Sequence, residues 1–442
     1  MKENLPKQES QASQKANMKT VGQIEITPSV AARRGDFTTR RADASLGSQR
    51  EQAPDKNAIR PFRVDVPDEV LNDLQTRLKL TRWADDFANE GWQYGTNTAY
   101  LKELVAYWIE SYDWRKHERA INAYPQFRTE IDGVPIHFIH VRGKGPNPKP
   151  LILSHGWPWT FWEYHKVIGP LSDPGSHGGD PADAFDVVVP SLPGYGFSTP
   201  LRKPGVNFWR TSGLWVKLME RLGYPRFAAH GADWGALITA DLGHRYPERV
   251  MGVHFPMMLP LDLFSGGLPA PEDYDADEAP MAARLQNFFA TESAYSALQS
   301  TKPQTIAAVL NDSPVGLASW ILEKQRSWSD CHGDVETRFS KDDLLTTIMI
   351  YWVTQSYGTS ARYYYEAAHH PWTPVHDRMP VVEAPVGISV LPEEICSAPR
   401  RWAQRYYNLK QWRHHASGGH FAAWEEPQAI ITDVRDFFRV LR

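Results

Sequence analysis

The chain has 442 residues, 42% hydrophobic and 23% charged, with a net charge of −4, which excludes a disordered chain and an electrostatic nucleic-acid binder. Its length exceeds one small core, so a large catalytic domain with additions is expected. The two cysteines, Cys331 and Cys396, lie in no metal-ligand spacing and suit free thiols in a reducing compartment, the cytoplasm.

Residues 1–58 are polar and hold one aromatic, Phe37. Glu3, Glu9, Glu25, Asp36 and Asp43 interrupt the segment, unlike an acid-poor transit peptide, so an extended or disordered arm is expected. No run approaches the ~18 apolar residues of a membrane helix and no apolar leader is present, so no membrane span is expected. From Pro61 the pattern changes. Val70, Leu71, Leu74 and Leu78 mark one face of a helix opened by Asp65-Val66-Pro67-Asp68-Glu69, whose proline and acids suit a first turn. Tyr100, Leu101, Leu104, Val105, Trp108 and Ile109 repeat at helical spacing over 99–112. Residues 59–125 therefore read as an N-terminal helical region.

Strand signals follow. Phe127 to Ile131 and Ile136 to Val141, joined across Asp132-Gly133, read as a hairpin. Short apolar runs at 151–153, 185–189, 227–229 and 250–255 alternate with helix-like segments, and further strands are expected at 386–391 and 409–414. A helix over 427–441 closes the chain. Eight strands, mostly parallel after an antiparallel opening pair, suit the mixed sheet of an α/β-hydrolase. Its core is assigned to residues 126–258 and 381–442. The intervening 259–380 is far too long for an ordinary crossover and contains helix-forming runs such as 342–357, so it reads as a helical lid over the carboxyl edge of the sheet.

Residues 230–235, His230-Gly231-Ala232-Asp233-Trp234-Gly235, fit the Gly-x-nucleophile-x-Gly turn of that fold, with a carboxylate at the nucleophile position. The apolar run before it and the helix-like segment after it supply the required context; as a lone motif, Asp233 would serve equally as a helix cap. The residue type decides the chemistry. Serine attacking a saturated carbon would leave an ether that water cannot reopen, whereas aspartate leaves an ester whose carbonyl water can attack. The substrate should carry an electrophilic saturated carbon.

His155-Gly156-Trp157-Pro158 follows the run 151–153, where this fold places an oxyanion donor; the backbone N–H groups of Trp157 and Trp234 form the expected pair, with His155 a turn residue. Ser417-Gly418-Gly419-His420 lies past the last strand, and His420 is the natural base, given a carboxylate to orient it. Glu393 and Glu394, after the strand at 386–391, both stand where that acid belongs. His414, His415 and His420 lie close in sequence without the acids or cysteines of a metal site, so neither metal nor cofactor is expected.

From Pro61 to the C-terminus the chain resembles the microsomal-type epoxide hydrolases. The resemblance rests on the segment beginning Pro61-Phe62, on His155-Gly-Trp-Pro158, Ser191-Leu-Pro-Gly-Tyr-Gly-Phe-Ser198, Gly231-Ala-Asp-Trp-Gly235, Gln299-Ser-Thr-Lys-Pro303, Leu310-Asn-Asp-Ser-Pro-Val-Gly316 and Gly418-Gly-His-Phe-Ala-Ala423. It implies an epoxide hydrolase acting through an aspartyl ester, with Glu394 as the acid in a Pro-x-Glu segment. It also implies two lid tyrosines on the epoxide oxygen, Tyr295 and Tyr364, the latter flanked by Tyr363 and Tyr365. Ala232 stands where relatives often have glycine. Animal members carry an N-terminal membrane helix, and the polar arm here implies a soluble, microbial-like relative.

The tyrosines make chemical sense, because ring opening releases an alkoxide and phenols of pKa ~10 can donate to it. Apolar or aryl epoxides and water are the expected partners, with no nucleic acid; lid or arm leaves a homodimer open. A haloalkane dehalogenase also uses an aspartate followed by a tryptophan, and from a different class a non-catalytic relative would use the lidded pocket as a receptor.

Overall fold

A computed structural model gives the fold of residues 55 and 57–441; the arm expected over 1–58 falls almost wholly outside these described residues. The first elements are β1 (Arg60–Phe62), α1 (Asp68–Lys79), α2 (Thr98–Glu110) and α3 (Trp114–Ile121). In α1 the acids Asp68 and Glu69 occupy the first turn and Arg77 and Lys79 the last, matching both ends of the helix dipole. Asn97 caps α2 by accepting from the Tyr100 N–H, and Leu101, Leu104, Val105 and Trp108 form its buried face, each stabilising by roughly 1.5–3 kcal/mol. Sequence periodicity does not announce α3, a mostly charged octet. Its inward face includes Glu118, whose carboxylate accepts from the Val66 N–H at 2.8 Å and the Trp114 indole at 3.2 Å.

The hairpin is β2 (Gln126–Ile131) and β3 (Val134–Val141). Asp132 and Gly133 between them both take positive φ, as a two-residue turn of this hand requires. Strands and helices then alternate: β4 (Lys149–Ser154), α4 (His165–Ser172), β5 (Phe185–Pro190), α5 (Phe208–Arg221), β6 (Phe227–Gly231), α6 (Trp234–Arg245) and β7 (Val250–Phe255). Six α-helices separate β7 from the next strand: α7 (Ala279–Asn287), α8 (Ala294–Thr301), α9 (Pro303–Leu310), α10 (Pro314–Ser327), α11 (Lys341–Thr354) and α12 (Tyr357–His369). The chain closes with β8 (Val382–Val390), α13 (Arg400–Tyr406), β9 (Tyr407–His414), α14 (Ala422–Glu425) and α15 (Pro427–Arg439).

The strands form one sheet in the order β1-β2-β3-β5-β4-β6-β7-β8-β9. Pairs from β1 to β5 along this order are antiparallel and the rest are parallel. Among the described residues the sheet thus has nine strands, not the expected eight. The addition, β1, is three residues long, too short to carry an alternation, and is held by its pairing to β2. The helix-forming run at 342–357 stops three residues early, because Gln355 takes a left-handed φ of 51° and ends α11 at Thr354, before α12 begins at Tyr357.

Strands β5 and β6 are buried along their whole length, the mark of a sheet covered on both faces. Because β4 pairs with β5 on one side and β6 on the other, the chain reverses its direction of travel across the sheet there. In open α/β sheets such a switch leaves a crevice beyond the carboxyl ends of the strands. The segments bearing Trp157 and Asp233 leave β4 and β6 at that point. No single described helix is long and apolar enough to cross a membrane. Cys331 and Cys396 are both buried and form no disulfide.

Candidate active site

The turn from β6 into α6 holds Asp233 at φ 52°, ψ −123°, a backbone region costly for any residue with a side chain. The side chain makes no capping bond to α6, so the strain exposes the carboxylate instead of ending a helix. The crossing is tight. A Cβ at Gly235 would lie 1.8 Å from the Ser154 carbonyl oxygen, and one at Gly156 would lie 2.2 Å from Asp233 Cβ. Ala232, the departure from the usual glycine, takes no left-handed angle, so its methyl meets no backbone penalty.

Asp233 Oδ1 accepts the Trp157 N–H at 2.7 Å. Trp234 is the first residue of α6, where a backbone N–H has no intrahelical acceptor. His155 is bound elsewhere: its Nδ1 lies 3.0 Å from the Gly156 carbonyl and its Nε2 accepts the Leu192 N–H at 3.0 Å. Burial pushes this imidazole down to about 3, leaving a neutral ring that fixes the turn.

His420 is buried, with Nε2 3.4 Å from Asp233 Oδ2 and Nδ1 2.9 Å from Glu394 Oε1. Burial opposes its charge, but the Glu394 carboxylate and then Asp233 outweigh it and hold the imidazole well above its usual 6.5. Glu394 is 1% exposed and also accepts the Cys396 N–H at 3.1 Å. The adjacent Glu393 turns outward toward Arg284, at 3.8 Å. Of the two acids, Glu394 therefore meets the histidine.

Tyr295 on α8 and Tyr364 on α12 meet above the turn, ring centroids 5.7 Å apart. Tyr295 stacks on Trp157 at 4.8 Å and Tyr364 stands edge-on to Trp234 at 4.7 Å. Burial, with the Asp233 charge adding to it, pushes both phenols well above 10, so both remain donors at neutral pH. Their neighbours point elsewhere: the Tyr363 hydroxyl lies 2.7 Å from Thr211 Oγ1 and the Tyr365 ring stacks on His369. Asp233, His420, Tyr295 and Tyr364 all face one cavity of about 370 Å³ whose remaining wall is largely apolar, with Leu237, Met257, Leu259 and Phe264 among its members. A larger groove of about 730 Å³ between α1, α9 and α12 is lined by Glu69, Asp73, Arg77 and Arg362. It holds neither a histidine nor a nucleophile turn.

Two acids near the site escape sequence reasoning. Glu425, five positions after His420, ends α14. Glu163 lies in the 3-10 turn Phe161–Tyr164 beyond the Trp157 segment. Burial pushes its carboxyl up to about 8, with His420 lowering it and Asp233 and Glu394 raising it. Neither acid belongs to a spaced pair; burial marks out Glu163, and the peptide N–H groups it receives mark out Glu425. Between about 4.5, its ordinary value, and about 8, folded Glu163 keeps a proton that the unfolded chain gives up, so its contribution to stability is present below that window and lost as pH rises through it. Glu163→Gln should therefore melt with the wild type at pH 4.5 and above it at pH 8.5, by an effect on the order of 5 kcal/mol. Parallel melting curves at both pH values would refute this.

Residues 59–164 match a family model described as Epoxide hydrolase N terminus, and residues 149–328 one described as alpha/beta hydrolase fold. A putative epoxide hydrolase of Stigmatella aurantiaca is 42% identical over 387 residues, covering 87% of this chain and 86% of that protein. Epoxide hydrolase 1 of Oryctolagus cuniculus is 39% identical, covering 86% of this chain and 88% of its own length. Among solved structures, the Aspergillus niger epoxide hydrolase superposes with a TM-score of 0.77 at 30% identity, over 88% of this chain and 98% of the other.

Proposed function

This chain belongs to the epoxide hydrolase family, and from that premise we propose that it converts an epoxide and water to a vicinal diol through an ester formed on Asp233. In the first half-reaction Asp233 Oδ2 bonds to a ring carbon as the ring C–O bond breaks. The oxygen set free takes hydrogen bonds from Tyr295 and Tyr364, and one phenol passes it a proton that is recovered from solvent when product leaves. Oδ1, already on the Trp157 N–H at 2.7 Å, becomes the ester carbonyl oxygen.

In the second half-reaction His420, oriented by Glu394, takes a proton from water as the hydroxide adds to the Asp233 carboxyl carbon. Negative charge then develops on Oδ1, where the N–H groups of Trp157 and Trp234 meet it; one such donor is typically worth about 3–4 kcal/mol. Collapse releases the diol oxygen, which takes the proton from His420, and the water's second proton, left on the Asp233 carboxyl, is lost to solvent as the phenol regains its own. Esterification also prepares the base. While Asp233 is ionised it helps hold the His420 imidazole above its ordinary range; the ester carries no charge, so that support vanishes and the neutral, proton-accepting ring is favoured.

The observation that carries this reading is the convergence of two buried phenols, a strained carboxylate and a carboxylate-held histidine on one cavity. The phenols distinguish it from the halide-releasing alternative, since an alkoxide needs donors that a departing halide does not. The apolar wall supports apolar or aryl epoxides as substrates. Single turnover in ¹⁸O-water tests the path: the diol's new oxygen comes from Asp233, so the first diol should be unlabelled and the label should appear in the Asp233 peptide. Label in the first diol would mean direct attack by water. Halide release from a haloalkane without diol from any epoxide would move the chemistry to the other class.

A further inference from the structure

The loop carrying His420 has its backbone donors arranged in an unusual way. Gly418 N–H goes to Asp330 Oδ2 at 2.9 Å, Gly419 N–H to Glu425 Oε2 at 3.1 Å, His420 N–H to the Trp328 carbonyl at 2.9 Å and Phe421 N–H to Glu425 Oε1 at 2.9 Å. Four consecutive donors thus leave the loop for two carboxylates and a carbonyl. Glu425 takes the two that flank His420, and its Oε2 also accepts the Asp330 N–H at 2.7 Å. Trp328 and Asp330 belong to the segment leaving α10, so one side chain, 8% exposed, ties the histidine loop to the helical insertion.

The chemistry of the acceptor matters. Burial pushes the Glu425 carboxyl up to about 7 against the pull of the N–H groups it receives; in its ionised form it only accepts, and three N–H groups converge on its two oxygens. Glutamine would turn an NH₂ toward either the Phe421 N–H or the Asp330 and Gly419 pair, opposing donor to donor. Arg338 holds the other carboxylate of the knot, lying 2.5 Å from Asp330 Oδ2. Glu425 does not line the cavity, and its bonds to the Gly419 and Phe421 N–H groups lead to the chemistry through His420.

We propose that Glu425 is a positioning residue for the hydrolytic half-reaction: it sets His420 against Asp233 by clamping the peptides on both sides of it. This rests on the two-step reading above. Loss of the clamp slows ester hydrolysis and leaves ring opening intact, because Asp233, Tyr295 and Tyr364 are held by other elements. A merely structural role would lower both steps together through the folded fraction.

The test follows both half-reactions in a stopped-flow or quenched single turnover on wild type, Glu425→Gln, Glu425→Asp and His420→Gln, with styrene oxide as probe and the enzyme ester read by mass. The expected result is ester formation within about threefold of wild type in both Glu425 variants, and ester hydrolysis slowed at least ~10-fold in Glu425→Gln and less in Glu425→Asp. If Glu425→Gln does not fold, the Asp variant carries the test through its slower ester hydrolysis beside unchanged ring opening. Trapping by His420→Gln, together with unchanged hydrolysis or equal slowing of both steps in the folded Glu425 variants, would overturn the proposal alone. No ester in His420→Gln would overturn the two-step reading beneath it.

Discussion

Replacing Asp233 by alanine should remove diol formation, a fall on the order of 10⁴-fold or more, because no other group can make the ester on which the second step acts. The geometry leaves no bypass. His420 Nε2 is directed at Asp233 Oδ2, 3.4 Å away, so a water it activates is aimed at the Asp233 carboxyl carbon and not at a substrate ring carbon. The two tyrosines would still bind the epoxide oxygen, and substrate should still protect the variant against thermal unfolding. Diol assays beside melting curves separate lost chemistry from lost fold. Turnover within tenfold of wild type in a folded Asp233→Ala protein would refute the assignment.

His420→Gln should show a different failure: one rapid equivalent of ring opening, then arrest. Removal of a general base typically costs 10²–10⁴-fold in the step it serves, roughly 3–5 kcal/mol. Here that cost falls on ester hydrolysis alone. The arrested enzyme should gain the mass of one substrate, located on the peptide bearing Asp233. A variant that turns over slowly without ever carrying this mass would show that His420 serves the first step or neither.

The parts of the fold that sequence reveals are those with local causes. The turn at Asp233 shows itself through Gly231 and Gly235, one residue away on either side of its neighbours, and β7 appears in full as an apolar run from Val250 to Phe255. What stays hidden depends on partners distant in the chain. β1 exists through its pairing to β2, and the break between α11 and α12 falls on Gln355, a residue type that does not advertise a left-handed cap. At the site, the order of nucleophile, acid and histidine can be read along the chain, but Glu393 and Glu394 are equivalent in it. The Pro-x-Glu resemblance points to Glu394, and the outward turn of Glu393 and the 2.9 Å contact of Glu394 with the histidine agree with it. Tyr295 and Tyr364 come from resemblance, since nothing in spacing separates Tyr364 from its two neighbours. Glu425 needed coordinates, because what marks it is the set of peptides it receives.

The six-helix insertion between β7 and β8 is fastened by its first segment to α13, through Glu278 with the Arg400 N–H and Asp273 with Arg405, and by its later segment to the histidine loop. Near Trp328, Asp330 and Arg338 it is bonded to the histidine loop, whereas the outer cavity wall includes Leu263, Phe264, Leu268, Phe288 and Phe289. There α7 passes into the π-helical turn Phe288–Glu292, and Phe289 is 43% exposed. Among the described residues the first of these segments therefore shapes the cavity without bonding to the histidine loop, and the second shapes that loop. Libraries aimed at residues 263–300, sparing Tyr295, should alter which epoxide and which enantiomer are accepted while leaving the rate of ester hydrolysis untouched. Changes near 328–338 should disturb hydrolysis for every substrate alike.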